Sequence, residues 1–315
     1  MNSMSINLLE KAAYLLKQDH LVAIPTETVY GLAANAFSDQ AVAKIYSFKN
    51  RPTFNPLIIH CKDLKMAQNL ANFNENALKL AKVFWPGPLT LVLPLKETSP
   101  ISKLATAGLK TIALRIPAHP LALKILELAD IPLAAPSANP SETISPTTAF
   151  HVENAFKSSN GLSLIIDGGP CQVGLESTII DLSENIPRLL RPGKITKEDL
   201  KSFIIEFSNA SLEADVIKAP GQLKRHYSPS IPLQKNVQQV NERQALLAFG
   251  HSPLIGAKKT LNLSSSANLI EAAANFFSML HELDSIEFES IAVMSIPQYG
   301  IGIAINDRLS RAASS

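Results

Sequence analysis

The sequence predicts an α/β protein in two parts, and three observations carry that reading. Short apolar runs stopped by proline or glycine alternate with stretches of helical apolar spacing along 1–207. The segment 208–240 loses any sustained period and gathers proline, glycine and basic residues, which is the composition of a linker. Regular strand–helix alternation then resumes over 241–315, enough for a small Rossmann-like α/β unit but short for a complete doubly wound domain.

Leu8, Leu9, Ala12, Ala13, Leu15 and Leu16 set a helical stripe over 6–17. Val22, Ala23 and Ile24 form a buried strand that Pro25 stops. The loop Thr26-Glu27-Thr28-Val29-Tyr30-Gly31 is dense in hydroxyls, with Glu27 read as an anchor for the loop. Ser38 or Asp39 caps the next helix, which carries Ala41, Val42, Ile45 and Tyr46. Pro52 disfavours helical geometry at Arg51, so that helix ends at Lys49-Asn50-Arg51. Two cations one residue apart can grip a polyanion together. Leu57, Ile58 and Ile59 make a second apolar run with His60 at its exit.

Next comes an amphipathic helix over 74–85, stopped by Pro86-Gly87-Pro88, then a buried strand over 89–93. Residues 111–117 read as a strand, 118–129 as a helix and 132–135 as a short strand. Arg115 within an apolar run is either paired inside or aimed at an anionic ligand. The loop Pro136-Ser137-Ala138-Asn139-Pro140-Ser141 offers a hydroxyl and an amide between prolines. Pro146, at its favoured first position, starts a helix to about Phe156. Strands follow over 164–169, 177–181 and 187–190. The first ends at Asp167-Gly168-Gly169, either a plain turn or a phosphate approach, and the last exits at Arg191-Pro192-Gly193. Thr196 caps a helix to Ile204 that closes the first domain. The second unit reads as strand 245–249, helix 268–281, strand 291–296 and helix 303–312.

A net charge of +2 is too small to argue for nucleic acid by itself. Two cysteines, Cys61 and Cys171, supply neither a disulfide framework nor a zinc cluster, and read as buried thiols. No apolar run reaches membrane-spanning length, and a cytoplasmic protein is expected. There is no phosphate loop, kinase set, serine elbow or metal-ligand spacing. What remains is hydroxyls, amides, cations and His60, all at or near strand ends. Such a set suits a triphosphate and a small polar metabolite better than acid–base chemistry on a neutral substrate.

The strings PTETVYGL, Lys49-x-Arg51 followed by NPLIIH, Ser137-x-Asn139, and LEST followed by RPG together resemble the threonylcarbamoyl-AMP synthase family. The segment APGQLKRHYSP and the ending IGIAINDRLSRAA are similar to its longer, two-domain branch, so the likeness covers nearly the whole chain. The resemblance implies a YrdC-like fold for 1–207, a twisted open mixed sheet flanked by helices with a positively charged cavity. It implies that ATP, L-threonine and bicarbonate give threonylcarbamoyl-adenylate and pyrophosphate, with magnesium on the leaving phosphates. Other proteins then transfer the threonylcarbamoyl group to tRNA beside the anticodon. The small net charge argues against RNA binding as the main role and leaves weak tRNA binding alongside catalysis open.

By position, Lys49, Arg51, Asn55, Ser137, Asn139, Ser145 and Arg191 match the ATP pocket; Thr28, His60, Arg115 and Ser177 match the threonine site. Thr111 falls where the two ligands meet, and His226 and Tyr227 match a linker segment folded over the cavity as a lid. Lys49, Arg51 and His60 are the candidate catalytic groups; Ala135 is expected to act through its backbone. A carbamoyltransferase of the hydrogenase-maturation type carries a similar domain together with Cys-x-x-Cys pairs, which this chain lacks.

Overall fold

The computed structural model describes residues 3–204, 206–208, 217–221 and 226–313. The first part runs α1 (Ser3–Lys17), β1 (Leu21–Ile24), β2 (Gly31–Asn35), α2 (Asp39–Lys49), β3 (Ile58–His60), α3 (Leu64–Leu70), α4 (Glu75–Phe84), β4 (Leu89–Pro94), β5 (Thr111–Arg115), α5 (Pro120–Ala129), β6 (Leu133–Ala134), α6 (Ala149–Ala155), β7 (Leu162–Ile165), β8 (Thr178–Asp181), β9 (Arg188–Arg191) and α7 (Lys197–Leu200). The second runs β10 (Leu233–Lys235), β11 (Ala245–Ala248), β12 (Lys259–Asn262), α8 (Leu269–Leu283), β13 (Ile291–Val293) and α9 (Gly302–Ala312).

Local chemistry sets many of the boundaries. Ser38 caps α2 through Ala41 N, Asn74 caps α4 through Ala77 N, and Thr196 and Asp199 close a capping box on α7. At the far end of α2 the chain leaves through Asn50 in the left-handed region, which turns Arg51 back towards the sheet. The helix expected from Pro146 starts later: Thr148 caps α6, because its hydroxyl accepts from His151 N, and Pro146 stays in the preceding loop. The helix expected to reach Ile204 is the single turn α7.

The strands of the first part form one mixed sheet in the order β7-β1-β2-β6-β3-β5-β4-β8-β9. Its two faces are dressed differently. Leu32, Ile59, Leu91, Leu114 and Ile180 face a continuous core completed by α2, α4 and α6. On the opposite face Val22, Ile24, Leu133 and Ile166 pack under α1 and α5. The rest of that face carries Ile58, Val92, Ala113, Ile179 and Leu190, and the residue that packs on them is Ala219 of the linker. Half of one sheet face is therefore roofed by linker chain, and the hollow of interest lies there.

The second sheet is wholly parallel, in the order β10-β13-β11-β12. Its first strand, β10, falls inside the stretch read as linker, so the second unit takes up its sheet before 241. The α8 and α9 core also contains Val29, Ile144 and Leu175 of the first part, so the two units share apolar packing. A Cβ on Gly174 would collide with the carbonyls of Ala273 and Ala274, so only glycine lets that loop lie against α8.

Candidate active site

The polar loops at the strand ends converge. Thr26, Thr28, Arg51, His60, Arg115, Ala135, Ser137, Ser177 and Arg191 all line one cavity, together with Glu176 and the linker residues Pro220, His226 and Tyr227. Strand pairing explains much of this: His60 sits opposite Arg115 in the parallel β3–β5 pair, and Ile179 opposite Arg191 in β8–β9. Gly31 forms a bridge to Ser137, which brings the first polar loop beside the second.

Arg115 is paired inside. Its Nη2 donates to Glu27 Oε1 at 2.6 Å, Nη1 to Thr28 Oγ1 at 2.9 Å and Nε to the Gly87 carbonyl at 3.2 Å. A guanidinium has five N–H donors, so two remain on a side chain that lines the cavity. Glu27 also accepts from Ala118 N at 3.0 Å, an anchor as its loop position suggested.

Arg191 donates from Nε to the Ser177 carbonyl at 3.0 Å and from Nη2 to Ser177 Oγ at 3.1 Å; Arg51 donates to the carbonyls of Asn55 and Pro56. Both are buried, at 4% and 8% exposure, and neither has a carboxylate partner among the described residues. Lys49, 1% exposed, donates to the carbonyls of Ser137 and Asn139 and likewise meets no carboxylate. Burial and then the neighbouring Arg191 outweigh the Tyr46 hydroxyl and bring Arg51 down to about 10. Arg51 and Arg191, buried without counter-ions, make an anion-binding wall, since an unpaired buried charge is costly; burial first, then Arg51, take Lys49 well below its ordinary range.

His60 is neutral: burial first, then Arg115, take its imidazole down to about 3, and its Nδ1 is buried without a partner. Asn55 Oδ1 and Asn139 Oδ1 are buried and unpartnered as well. Asn55, Asn139, Ser145 and Lys49 stand behind the lining residues, with Lys49 tying the second polar loop from the rear. Thr111 shares its sheet face with Ala113 and Arg115 but lies at the far end of β5, outside the closed cavity. Ala113 packs under Ala219, so lifting the linker extends the hollow along that face towards Thr111.

The linker is seated inside. Tyr227 is fully buried, its hydroxyl and His226 Nδ1 lack partners, and Pro220 O accepts from Arg191 Nη1 at 3.5 Å. Lys224 and Arg225, singled out beside them in the sequence, lie outside the described residues. The enclosed space is about 40 Å³, whereas ligand pockets span roughly 300–1,000 Å³.

Two residues at the site were missed by sequence reasoning. Glu176 accepts from Ser145 Oγ at 2.5 Å and from Arg308 Nε at 3.1 Å. Arg308, from α9, is fully buried, stands 5.6 Å from the Tyr227 ring centroid and donates to the Pro192 carbonyl at 2.6 Å. Asp167-Gly168-Gly169 is a loop tied down locally: Asp167 Oδ1 accepts from Gly169 N at 2.9 Å, Tyr30 donates its hydroxyl to the Gly169 carbonyl, and Gly168 packs on Pro25 and His119.

A family model described as telomere recombination matches residues 14–193, and one described as the threonylcarbamoyl-AMP synthase C-terminal domain matches 195–314. The threonylcarbamoyl-AMP synthase of Pyrococcus abyssi is 39% identical over 96% of this chain and 93% of its own. That of Bacillus subtilis is 39% identical over 96% of this chain and 92% of its own. A crystal structure of P. abyssi Sua5 complexed with L-threonine matches with a TM-score of 0.88 at 38% identity, over 97% of this chain and 94% of that one. The chain belongs to the threonylcarbamoyl-AMP synthase family, in its two-domain branch, and is an enzyme of the nucleotidyltransferase type.

Proposed function

We propose that this enzyme joins L-threonine, bicarbonate and ATP into threonylcarbamoyl-AMP, with pyrophosphate and water released, for threonylcarbamoyl modification of tRNA next to the anticodon. The observation that carries the reading is the pair of buried guanidiniums, Arg51 and Arg191, lacking carboxylate partners among the described residues in a cavity that also holds Arg115.

In this reading the threonine amine forms a bond to the carbon of bicarbonate or its carbon dioxide, giving a carbamate. A carbamate oxygen then attacks the α-phosphorus, and the bond to the β-phosphate oxygen breaks as pyrophosphate leaves. Such a transfer depends on positioning and charge neutralisation more than on covalent help. Arg51 and Arg191 face the phosphates, and the two remaining donors of Arg115 face the threonine carboxylate. His60, neutral with a free Nδ1, accepts a hydrogen bond from threonine instead of storing a proton. The lid, His226 and Tyr227, lifts to admit ATP and closes to keep water from the labile carbamate.

The donor set fits magnesium carried on the nucleotide: Glu27 and Glu176 are engaged with Arg115 and Arg308, which leaves substrate oxygens and water as ligands. The ion would supply charge neutralisation at the phosphates. We place the enzyme in the cytoplasm, upstream of tRNA threonylcarbamoyl-transfer proteins and with weak tRNA binding of its own. Among the described residues no helix is long and apolar enough to cross a membrane.

The test is pyrophosphate release from ATP and bicarbonate with L-threonine, compared with L-serine. Release that requires the amino acid is expected, with a preference for threonine worth about 1–3 kcal/mol for its methyl. Absence of threonine-dependent release, with salt-sensitive RNA binding in its place, would overturn the reading.

A further inference from the structure

Ser145 is held from two directions: by His281 of the second unit directly, and through Glu176 of the first part by Arg308. Its hydroxyl donates to Glu176, which is in turn paired with Arg308 of α9. Its carbonyl meets His281 Nε2, from α8, at 3.1 Å. A carbonyl only accepts, so the proton of His281 sits on Nε2. The His281 ring stacks on the ring of His151, from α6 of the first part, at 4.0 Å between centroids and 24° between planes. His151 is fixed as well: Thr147 N donates to its Nδ1 at 3.3 Å, so its proton lies on Nε2.

The two imidazoles thus clasp 145–147 from opposite domains. Face-to-face rings at this separation disfavour a charge on both at once. Burial, with His281 as the second cause, takes His151 down to about 4, and burial takes His281 to about 4 despite the Ser145 carbonyl. On one side the pair borders a groove of about 560 Å³, lined also by Ser141, Thr143 and the linker residues Ser228 and Ser230. Side-chain replacement at His281 therefore meets open space on that side.

We propose that His281 is a positioning residue for the nucleotide: its donor to the Ser145 carbonyl, braced by the stack on His151, fixes the backbone on which the Ser145 hydroxyl is presented. This rests on the reading of Ser145 as part of the ATP pocket. It also assigns the second unit a task beyond packing, because that unit supplies the donor that the first part lacks at this point. The arrangement predicts a selective effect. In this reading threonine is held by Thr28, His60, Arg115 and Ser177, none of which bonds to His281 or His151, so the larger effect falls on ATP.

Two variants separate the donor from the ring. His281→Phe keeps an aromatic ring to stack and loses the donor; His281→Gln loses the ring and keeps an amide nitrogen near the place of Nε2. The measurements are KM for ATP and for L-threonine, with calorimetric ATP titration alongside. The expected result is a five- to tenfold rise in KM and Kd for ATP in His281→Phe, at most a smaller rise in KM for threonine, and return towards the original ATP values in His281→Gln. Unchanged ATP binding in His281→Phe, an equal rise for both substrates, or a His281→Gln that behaves like His281→Phe would each overturn the proposal. Failure of the broader functional reading shows up elsewhere, as an unaltered protein that neither binds ATP nor releases pyrophosphate with threonine; that result removes the nucleotide role of the clasp too.

Discussion

Arg308 is fully buried between the Glu176 carboxylate and the Tyr227 ring, and its remaining Nη2 has no partner. Burial alone would lower its pKa, but Tyr227, Glu176 and Asp307 around it raise it, so it stays charged. Removing Glu176 leaves the buried Arg308 with only Asp307, at 3.1 Å, to offset its charge, at a cost of up to about 3–5 kcal/mol. Glu176→Gln is therefore expected to lower the denaturant midpoint sharply, and Glu176→Gln with Arg308→Met to recover part of the loss; additive losses would show that the two are not coupled. His60 offers a second prediction at this scale. His60→Asn should raise the threonine requirement with turnover little changed, whereas lower turnover at an unchanged threonine KM would make the imidazole a base. Arg115 was legible in the sequence because a cation inside an apolar run demands a partner or an anion. Arg308 was not: among Asp307, Arg311 and Ser310 on an amphipathic helix it reads as solvated surface, and only the neighbouring domain buries it.

At the scale of elements, the linker does what α1 and α5 do over the other half of the sheet face: it covers it. Its conformation turns on Gly221, at φ +85, where a Cβ would come 2.9 Å from Arg191 Cδ. Alanine there costs about 1–3 kcal/mol of the closed arrangement, and a shift of that size changes an equilibrium about 5–150-fold. Gly221→Ala is expected to speed tryptic cutting near Arg225 by a factor in that range, provided cutting follows the open population. ATP with threonine should slow cutting in the unaltered protein, and equal rates with and without substrates would argue against a lid. Elements with strong local signals were read correctly from the sequence, as Ser38 and Asn74 show at the starts of α2 and α4. The strand β2, Gly-Leu-Ala-Ala-Asn, was not, because glycine and alanine carry little strand preference and its ladder is set by β1 and β6. The three-residue β10 was hidden for a similar reason: Gln234 and Lys235 look like linker until β13 pairs with them.

For the whole molecule, folding encloses imidazoles that must be neutral. The union of the two units was itself beyond sequence pattern, since Val29, Ile144 and Leu175 look the same whether their partners lie in their own domain or in α8 and α9. That union and the linker enclose His60 fully and His226, His151 and His281 in part, and all four bind protons less readily than an exposed imidazole. For His226 burial comes first and Arg51 second. In the unfolded chain each titrates near 6.5. Above that pH neither state is protonated and the stability is intact. As pH falls below about 6.5 the unfolded chain takes up protons that the native protein refuses, so stability declines with falling pH until the native values, near 4 and 3, are reached. For His60, 2% exposed, the loss between pH 6.5 and 5 is about 2 kcal/mol. Urea midpoints from pH 7 to 5 should fall steadily, and His60→Asn, with nothing to protonate, should show a shallower fall than the unaltered chain. Parallel slopes for the two proteins would mean that His60 is protonated equally in both states, and with it the neutral, hydrogen-bonding role in threonine binding would go.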